Sequence, residues 1–309
     1  MLVRFPQVNP ILLYFASGES LYSGAALLLV TVAISPHLTH RRPLRLRNIV
    51  TWLALAMIVM ACPPFSWIID AMFGVVFFLW FVAWNKTPER SWTGFRVATM
   101  AVLLVVLPAL AAMELRHRRM PAVEGEPSDH LVVIGDSISA GLDARVAPWP
   151  VIMERATGVQ VRNLSRPGAT MTDGLALADG VTHEDHLILI ELGGNDLIAG
   201  GPSDVFARGL EALLAKLAAS GRTVVMFELP LLPFRIAYGQ IQRRLAAKYG
   251  VPLIPKRYFT GVIAGKDATL DGLHLTDAGA RRMALVVAQA LSPVLRAQFE
   301  KPTTPATHP

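Results

Sequence analysis

Residues 130–141 read HLVVIGDSISAG, a short apolar run that ends in Gly135-Asp136-Ser137. The run is rich in β-branched residues and glycine follows it at once, a pattern that predicts a buried strand leading into a tight turn. Apolar runs of similar length predict four further strands, at residues 159–161, 187–191, 223–227 and 251–254.

Between these runs, apolar residues recur with the spacing of an α-helix. Phe206, Leu210 and Leu217 belong to one set with 3.6-residue spacing, and Ala280 to Leu291 contain another. Strands that alternate with helices predict an α/β fold with three layers, in which helices cover both faces of a parallel five-stranded sheet. Ligands of such folds bind beyond the carboxyl ends of the strands.

The N-terminal part of the chain has a different composition. The 309 residues are 53% hydrophobic and only 17% charged, and the long apolar runs precede residue 114. Because about 20 apolar residues cross the hydrocarbon of a bilayer, we predict an α-helical transmembrane region over residues 1–119. It has three or four spans, with approximate bounds 11–34, 49–62, 66–84 and 95–113.

Further boundaries follow from local composition. Pro63 and Pro64 predict a tight hairpin between the second and third spans, because proline lacks an amide donor and restricts the residue before it. A linker at 120–129 leads to the α/β domain at 130–300, and a tail at 301–309, rich in proline and threonine, is expected to be disordered.

The distribution of basic residues bears on partners and on location. The net charge is +6, but the arginines flank apolar runs, which favours a membrane over nucleic acid. With four spans and an outside N-terminus, the basic residues on the inside outnumber those on the outside. Those inside are Arg41, Arg42, Arg45, Arg47, Lys86 and Arg90, and those outside are Arg4, Arg116, Arg118 and Arg119. The positive-inside rule then predicts a periplasmic domain on a multi-pass protein of a bacterial inner membrane, whereas three spans would place it in the cytoplasm.

Polar residues follow the ends of the first three predicted strands. Ser137 comes after the first, the turn at 163–168 after the second, and Asn195 after the third. Asp271 and His274 precede the final helix, whose predicted N-cap is Thr276. These segments are therefore expected to meet at one edge of the sheet.

These residues fit the chemistry of ester cleavage. Ser137 can act as the nucleophile, His274 as its base, and Asp271 as the group that orients the imidazole. The amides of Ser137 and Gly168 and the side-chain amide of Asn195 can form an oxyanion hole. We expect Gly168 to let the bare backbone approach the substrate closely.

Four segments of the sequence resemble, in order, the conserved blocks of SGNH or GDSL hydrolases. They are residues 132–141, 163–168, 191–196 and 271–274. The resemblance covers residues 130–293 and implies a flavodoxin-like SGNH domain in which Ser137, Gly168, Asn195 and His274 are the family's four name-giving residues and Asp271 completes the triad. The sequences of these blocks are most similar to the bacterial branch that includes esterases, lysophospholipases and thioesterase I. No member of that branch is defined by an N-terminal half with several membrane spans, so this part of the chain departs from the pattern. The α/β-hydrolase alternative would need glycine at Ser139.

The sequence therefore predicts a membrane-anchored serine ester hydrolase that acts on small-molecule or lipid acyl esters through an acyl-enzyme, without metal or cofactor. Two other functions remain open. The same triad could transfer an acyl group to a sugar or lipid, and the membrane region could be a scaffold or transporter that carries a non-catalytic SGNH-like binding module. Trp149, which lies between two prolines, is expected to anchor a helix.

Overall fold

A computed structural model describes residues 10–38, 41–86, 92–143, 145–218 and 221–296. The chain divides into two compact units. The helical unit comprises Pro10–Arg119 and Pro230–Gln240, and the α/β unit is formed mainly by Met120–Leu229 and Ile241–Pro309. The tail predicted at 301–309 lies outside the described residues.

Among the described residues, five helices form the first part of the helical unit: α1 (Pro10–Ala16), α2 (Glu19–Ile34), α3 (Arg41–Met60), α4 (Trp67–Asn85) and α5 (Thr93–Leu115). The stretch predicted as one span at 11–34 is two helices, because the Ser17 hydroxyl bonds to the carbonyl of Tyr14 and accepts from the amide of Glu19. Such local bonds compete with the helical ladder. Helix α3 begins before the predicted residue 49.

The long helices of this unit pack around a common apolar core. Helix α2 packs against α3 and α5, and α4 packs against α5. Trp80, Leu103 and Leu28 are fully buried among them. Helix α3 ends at Met60 and α4 begins at Trp67, so the hairpin predicted at Pro63 and Pro64 is present. In the described residues, three segments are long and apolar enough to cross a membrane, namely Glu19–His37, Trp67–Asn85 and Thr93–Arg118.

Polar contacts tie the ends of these helices together. The guanidinium of Arg47 on α3 donates to the carbonyl of Trp84 at 3.2 Å, and that of Arg96 on α5 donates to the carbonyl of Ala83 at 2.8 Å. Both arginines therefore satisfy carbonyls in the last turn of α4, where a positive charge is favoured. Arg118, just beyond the end of α5, pairs with Glu19 at the start of α2 at 2.6 Å.

The α/β unit contains the five predicted strands: β1 (His130–Gly135), β2 (Gln160–Asn163), β3 (Leu187–Glu191), β4 (Thr223–Phe227) and β5 (Leu253–Ile254). All pairs are parallel and the order is β2-β1-β3-β4-β5, which is the flavodoxin-like order. Every residue of β3 is buried, as expected for a central strand covered on both faces. Strand β5 is shorter than the predicted run at 251–254.

Eight helices accompany the strands in chain order: α6 (Ser137–Ala140), α7 (Trp149–Thr157), α8 (Met171–Leu177), α9 (Gly194–Ala199), α10 (Ser203–Leu217), α11 (Ile236–Tyr249), α12 (Lys256–Ile263) and α13 (Asp277–Leu291). Helix α7 packs on α13, and α8 packs on α10. From β1 the chain moves to one side of the sheet, to β2, and from there to the other side, to β3, β4 and β5. With right-handed crossovers, the helix pair α7 and α13 and the helix pair α8 and α10 therefore lie on opposite faces of the sheet. The predicted N-cap of α13 is confirmed, because the Thr276 hydroxyl accepts from the amide of Gly279 at 3.2 Å.

The segment between the two units is not a free linker. Val123 is buried, and the amide of Ser128 donates to the carbonyl of Val294 at 2.9 Å. Residues predicted as a linker at 120–129 thus pack as part of the α/β unit, because this backbone segment finds a bonding partner after the last helix.

The core of the α/β unit provides a test of the fold. Leu210 on α10 is fully buried, so Leu210→Ala should lower the free energy of unfolding by about 2–5 kcal/mol through lost burial and a cavity. Thermal unfolding of the detergent-solubilised chain measures this. The control is Leu285→Ala, at a side chain that is 69% exposed, where a change of about 0.5 kcal/mol or less is expected. Equal effects would contradict the assignment of the core.

Candidate active site

The candidate site lies at the carboxyl edge of the sheet, where the strand order changes direction. Strand β1 lies between β2 and β3, so the loops that follow these three strands are neighbours. They carry Ser137, Gly168 and Asn195, as the sequence predicts. In open α/β sheets this switch point is the position at which ligands bind.

Ser137 occupies a tight turn directly after β1. It is the first residue of α6, and the carboxylate of Asp136 caps that helix by accepting from the amide of Ile138 at 2.9 Å. The backbone carbonyl of Asp136 also accepts from the amide of Ala140 at 2.9 Å. These bonds fix the turn while the serine hydroxyl stays at the edge of a cleft.

His274 connects the serine to an acidic residue. Its Nε2 lies 3.1 Å from Oγ of Ser137, and its Nδ1 lies 2.6 Å from Oδ2 of Asp271. The other oxygen of Asp271 accepts from the amides of Leu273 and His274 at 3.0 and 2.9 Å. The structure thus brings together the three predicted triad residues, and the short loop makes Asp271 and His274 one local unit.

The electrostatics of this unit favour an ionised acid. Partial burial raises the pKa of Asp271, but hydrogen bonds from the amide and ring of His274 and from the amide of Leu273 outweigh this effect and lower the pKa to about 2. Asp271 is therefore a carboxylate at neutral pH. It can hold the ring tautomer that leaves Nε2 free to accept a proton from Ser137.

Two backbone amides at the site have no protein acceptor. Within the described residues, neither the amide of Ser137 nor that of Gly168 donates to another protein atom. Gly168 adopts a φ of 76°, yet an added Cβ would meet nothing within 4 Å. The glycine is therefore required for backbone conformation, and the space beside its amide is open on the protein side.

The third predicted donor, Asn195, is engaged in this structure. Its Nδ2 donates to the carbonyl of Ala169 at 2.9 Å and to Oδ2 of Asp136 at 3.3 Å. The loop reaches this position through Gly193, whose φ is 107° and whose added Cβ would lie 3.0 Å from side chains of Leu229 and Phe206. The amide can meet a substrate oxygen if the longer of its two bonds is released.

Further polar residues brace the loops. Oδ2 of Asp196 accepts from the amide of Met171 at 2.8 Å, which ties the loop after β3 to the start of α8. Burial raises the pKa of Asp136 to about 6, although the amide of Ile138 opposes the rise. Analysis of the sequence did not single out Glu191. A glutamate that ends an otherwise apolar, fully buried strand is the signal that could have found it.

A narrow cleft opens beside Ser137 and His274. Its free volume is about 10 Å³, close to what one water molecule needs. Asp143 is a charged lining residue, and the apolar ones include Ile138, Leu142, Val146, Pro148 and Leu275. Among the described ranges, no group of three or more His, Cys, Asp or Glu side chains is arranged to hold a metal ion. Ser137, His274 and the two amides can deliver a nucleophile, a base and hydrogen-bond donors to an ester carbonyl that reaches Ser137.

Comparisons with known proteins agree with this arrangement. The model of the GDSL-like Lipase/Acylhydrolase family matches residues 133–282. An arylesterase of Vibrio mimicus is 32% identical over 181 residues, which cover 54% of this chain and 90% of the relative. An Escherichia coli protein named thioesterase 1/protease 1/lysophospholipase L1 is 28% identical over 159 residues, covering 48% of this chain and 76% of the relative.

A solved structure is also similar in sequence to part of this chain. The crystal structure of TesA is matched with a TM-score of 0.48 and 30% sequence identity, over 54% of this chain and 99% of that chain. The four sequence blocks and the 32% identity to an arylesterase covered over 90% of its length agree on one family. The chain belongs to the GDSL-like lipase/acylhydrolase family, that of the SGNH hydrolases, and is a hydrolase of ester bonds.

Proposed function

We propose that the protein is a membrane-anchored serine hydrolase that cleaves carboxylic or thioesters through an acyl-enzyme on Ser137. The observation that carries the proposal is the continuous contact from Asp271 through His274 to Ser137, at 2.6 and 3.1 Å. A serine, a base within hydrogen-bond reach and a third group that orients the base are the parts needed for nucleophilic catalysis.

Acylation follows from this geometry. Oγ of Ser137 attacks the carbonyl carbon of the ester and its proton passes to Nε2 of His274, while Asp271 stabilises the imidazolium. The carbonyl oxygen becomes an oxyanion that accepts from the amides of Ser137 and Gly168. The bond to the alcohol or thiol then breaks, and the leaving group takes the proton from His274.

Asn195 completes the oxyanion hole by exchanging partners. Its 3.3 Å bond to Asp136 is the weaker of its two bonds, so this proton turns to the oxyanion while the bond to Ala169 holds the amide in place. One such donor contributes about 2.7–4 kcal/mol to lowering the barrier. In the second half of the cycle, water attacks the acyl carbon and its proton passes to His274. The bond to Oγ of Ser137 then breaks, Oγ takes the proton from His274, and the carboxylic acid leaves.

The substrate class rests on the relatives and on the cleft. One relative is named an arylesterase and another a thioesterase and lysophospholipase, so carboxylic and thioesters are the first candidates. The apolar walls formed by Leu142, Val146 and Leu275 suit a hydrocarbon group next to the scissile bond. No charged group beyond the triad is needed for such a substrate.

The helical unit is proposed to anchor the enzyme as a four-span bundle. Three spans are the segments that are long and apolar enough to cross a membrane, and the fourth is α3, whose first turns carry arginines and which is outside that set. Arg47 and Arg96 tie the start of α3, the end of α4 and the start of α5 to one end of the bundle. Arg118 and Glu19 tie the end of α5 to the start of α2 at the other. By sequence, six Lys and Arg residues flank the spans at the first end and four at the second, so the positive-inside rule favours the first end in the cytoplasm. The chain beyond Arg119 then lies on the outer, periplasmic face.

The nucleophile is tested by removing its hydroxyl. The purified full-length wild type should hydrolyse a chromogenic acyl ester, and Ser137→Ala should reduce kcat to background because no other group can form the acyl-enzyme. The control is Ser292→Ala, at an exposed serine, which should keep wild-type kcat.

Two results would contradict this function. Turnover by Ser137→Ala at the wild-type rate would exclude an acyl-enzyme on that residue. Release of product only after addition of a sugar or lipid acceptor would show an acyltransferase.

The orienting acid is tested by Asp271→Asn. An amide in place of the carboxylate no longer fixes the reactive tautomer or stabilises the imidazolium, so kcat should fall by about 10³- to 10⁴-fold with little change in KM. Asp277→Asn is the matched control, because Asp277 lies in the first turn of α13 and pairs with Arg281 away from the triad. A fall of less than tenfold for Asp271→Asn would remove Asp271 from the triad.

Membrane orientation can be measured by labelling single cysteines. Cys62 is the single cysteine of the sequence, so Cys62→Ala provides a cysteine-free background. In spheroplasts, a membrane-impermeant maleimide should label Ser203→Cys in the α/β unit without permeabilisation. His37→Cys, beyond α2, should be labelled only after permeabilisation. The reverse pattern would place the catalytic unit in the cytoplasm.

A further inference from the structure

A buried carboxyl lies at the end of β3, beside the turn that carries Ser137. Glu191 is only 6% exposed, and its Oε2 accepts from the hydroxyl of Ser139 at 2.8 Å. That hydroxyl in turn accepts from the indole Nε1 of Trp149 at 3.0 Å. Ser139 and Trp149 are fully buried. A continuous chain of hydrogen bonds therefore joins the end of β3, helix α6, which begins at Ser137, and the first residue of α7.

Glu191 has no cationic partner to offset its burial. No Lys, Arg or His in the described parts of the chain forms an ion pair with it, and its nearest titratable neighbour is another carboxyl, Asp136. Burial first, and then the charge of Asp136, raise the pKa of Glu191 well above its usual range. The two carboxyl groups, buried side by side, therefore carry one negative charge between them at neutral pH.

The hydrogen bonds indicate where that charge resides. Asp136 accepts from the amide of Ile138 at 2.9 Å and from the side chain of Asn195 at 3.3 Å. Both donors favour the ionised form of Asp136. Glu191 accepts from the neutral hydroxyl of Ser139, and the backbone amide of Asp136 also favours its ionised form, but burial outweighs both. Glu191 is the more deeply buried of the two carboxyls, so the proton belongs on Glu191.

Resting on the proposed function, we propose that Glu191 is a positioning residue held in its protonated form. Through Ser139 and Trp149 it fixes the turn that carries the nucleophile. Because Glu191 is neutral, Asp136 carries the negative charge of the pair and accepts the hydrogen bond that orients Asn195 in the resting enzyme. The groups that act on this pair are Asp196 on α9 and His274 before α13. Glu191 touches no reacting atom and acts through the two loops on which the reacting groups lie.

The first test compares three variants of the full chain. Glu191→Gln keeps the shape, the acceptor oxygen and the neutral state, so its kcat should stay within about threefold of the wild type. Glu191→Ala and Ser139→Ala break the buried chain, and each should lower kcat by about tenfold to a hundredfold because a buried donor is left unsatisfied. The double variant should lose no more than either single variant, because the two residues act as one unit. If Glu191→Gln loses as much as Glu191→Ala, a charged glutamate is required and the proposal is wrong.

A pH profile separates positioning from simple stabilisation. Ionisation of Glu191 at alkaline pH would put a second charge beside Asp136, so the wild type should lose kcat at high pH while Glu191→Gln remains active to higher pH. Glu228→Gln is the matched control, since Glu228 is also buried at the end of a strand but pairs with Arg243 at 2.6 Å. Its alkaline limb should match that of the wild type. Coincident alkaline limbs for Glu191→Gln and the wild type would contradict the proposal.

A spectroscopic measurement makes the test independent of turnover. Infrared spectra of the full chain labelled with ¹³C-carboxyl glutamate at neutral pH should contain a protonated carboxyl band that disappears in Glu191→Gln and persists in Glu228→Gln. Absence of that band would overturn the proposal even if the enzyme is active. Presence of the band in a protein that cleaves no ester would instead show that the proposed function, and not the protonation of Glu191, has failed.

Discussion

Burial of β1 and β3 on both faces of the sheet is the constraint on which the site depends. Strands covered by helices on two sides are apolar along most of their length, so polar chemistry lies at their carboxyl ends and in the loops beyond. Because the strands are parallel and β1 lies between β2 and β3, the loops after all three strands open at the same edge. The position of Ser137, Gly168 and Asn195 is therefore a consequence of strand order.

The acidic residues near Ser137 illustrate how surroundings give one chemical group different tasks. Asp271 receives three hydrogen bonds from its own loop, and its pKa falls to about 2. Asp136 is more deeply buried and its pKa rises to about 6. Glu191 is buried and has no cationic partner among the described residues, and its pKa is raised well above its usual range. Solvent access and the number of donors decide which of them is ionised at neutral pH.

The helical unit uses polar groups differently. Its arginines lie at helix ends and bind carbonyls that the helix itself cannot satisfy, as Arg47 and Arg96 do at the end of α4. The side chains between these ends pack through apolar surfaces around Trp80 and Leu103. Charge at the ends and apolar packing between them are what a bundle proposed to cross a bilayer requires, since no water is present to bond groups at the centre.

Much of this protein could be read from its sequence because the relevant signals are local. The apolar runs determined the strands, the residues after them determined the candidate nucleophile and donors, and the three-residue spacing of Asp271 and His274 determined that acid and base would be neighbours. Other features depend on contacts between distant segments. The packing of residues 120–129, the partners of Asn195 and the chain from Glu191 through Ser139 to Trp149 required the tertiary structure. Burial sets the cost of each polar group, and burial is decided only when segments far apart in sequence come together.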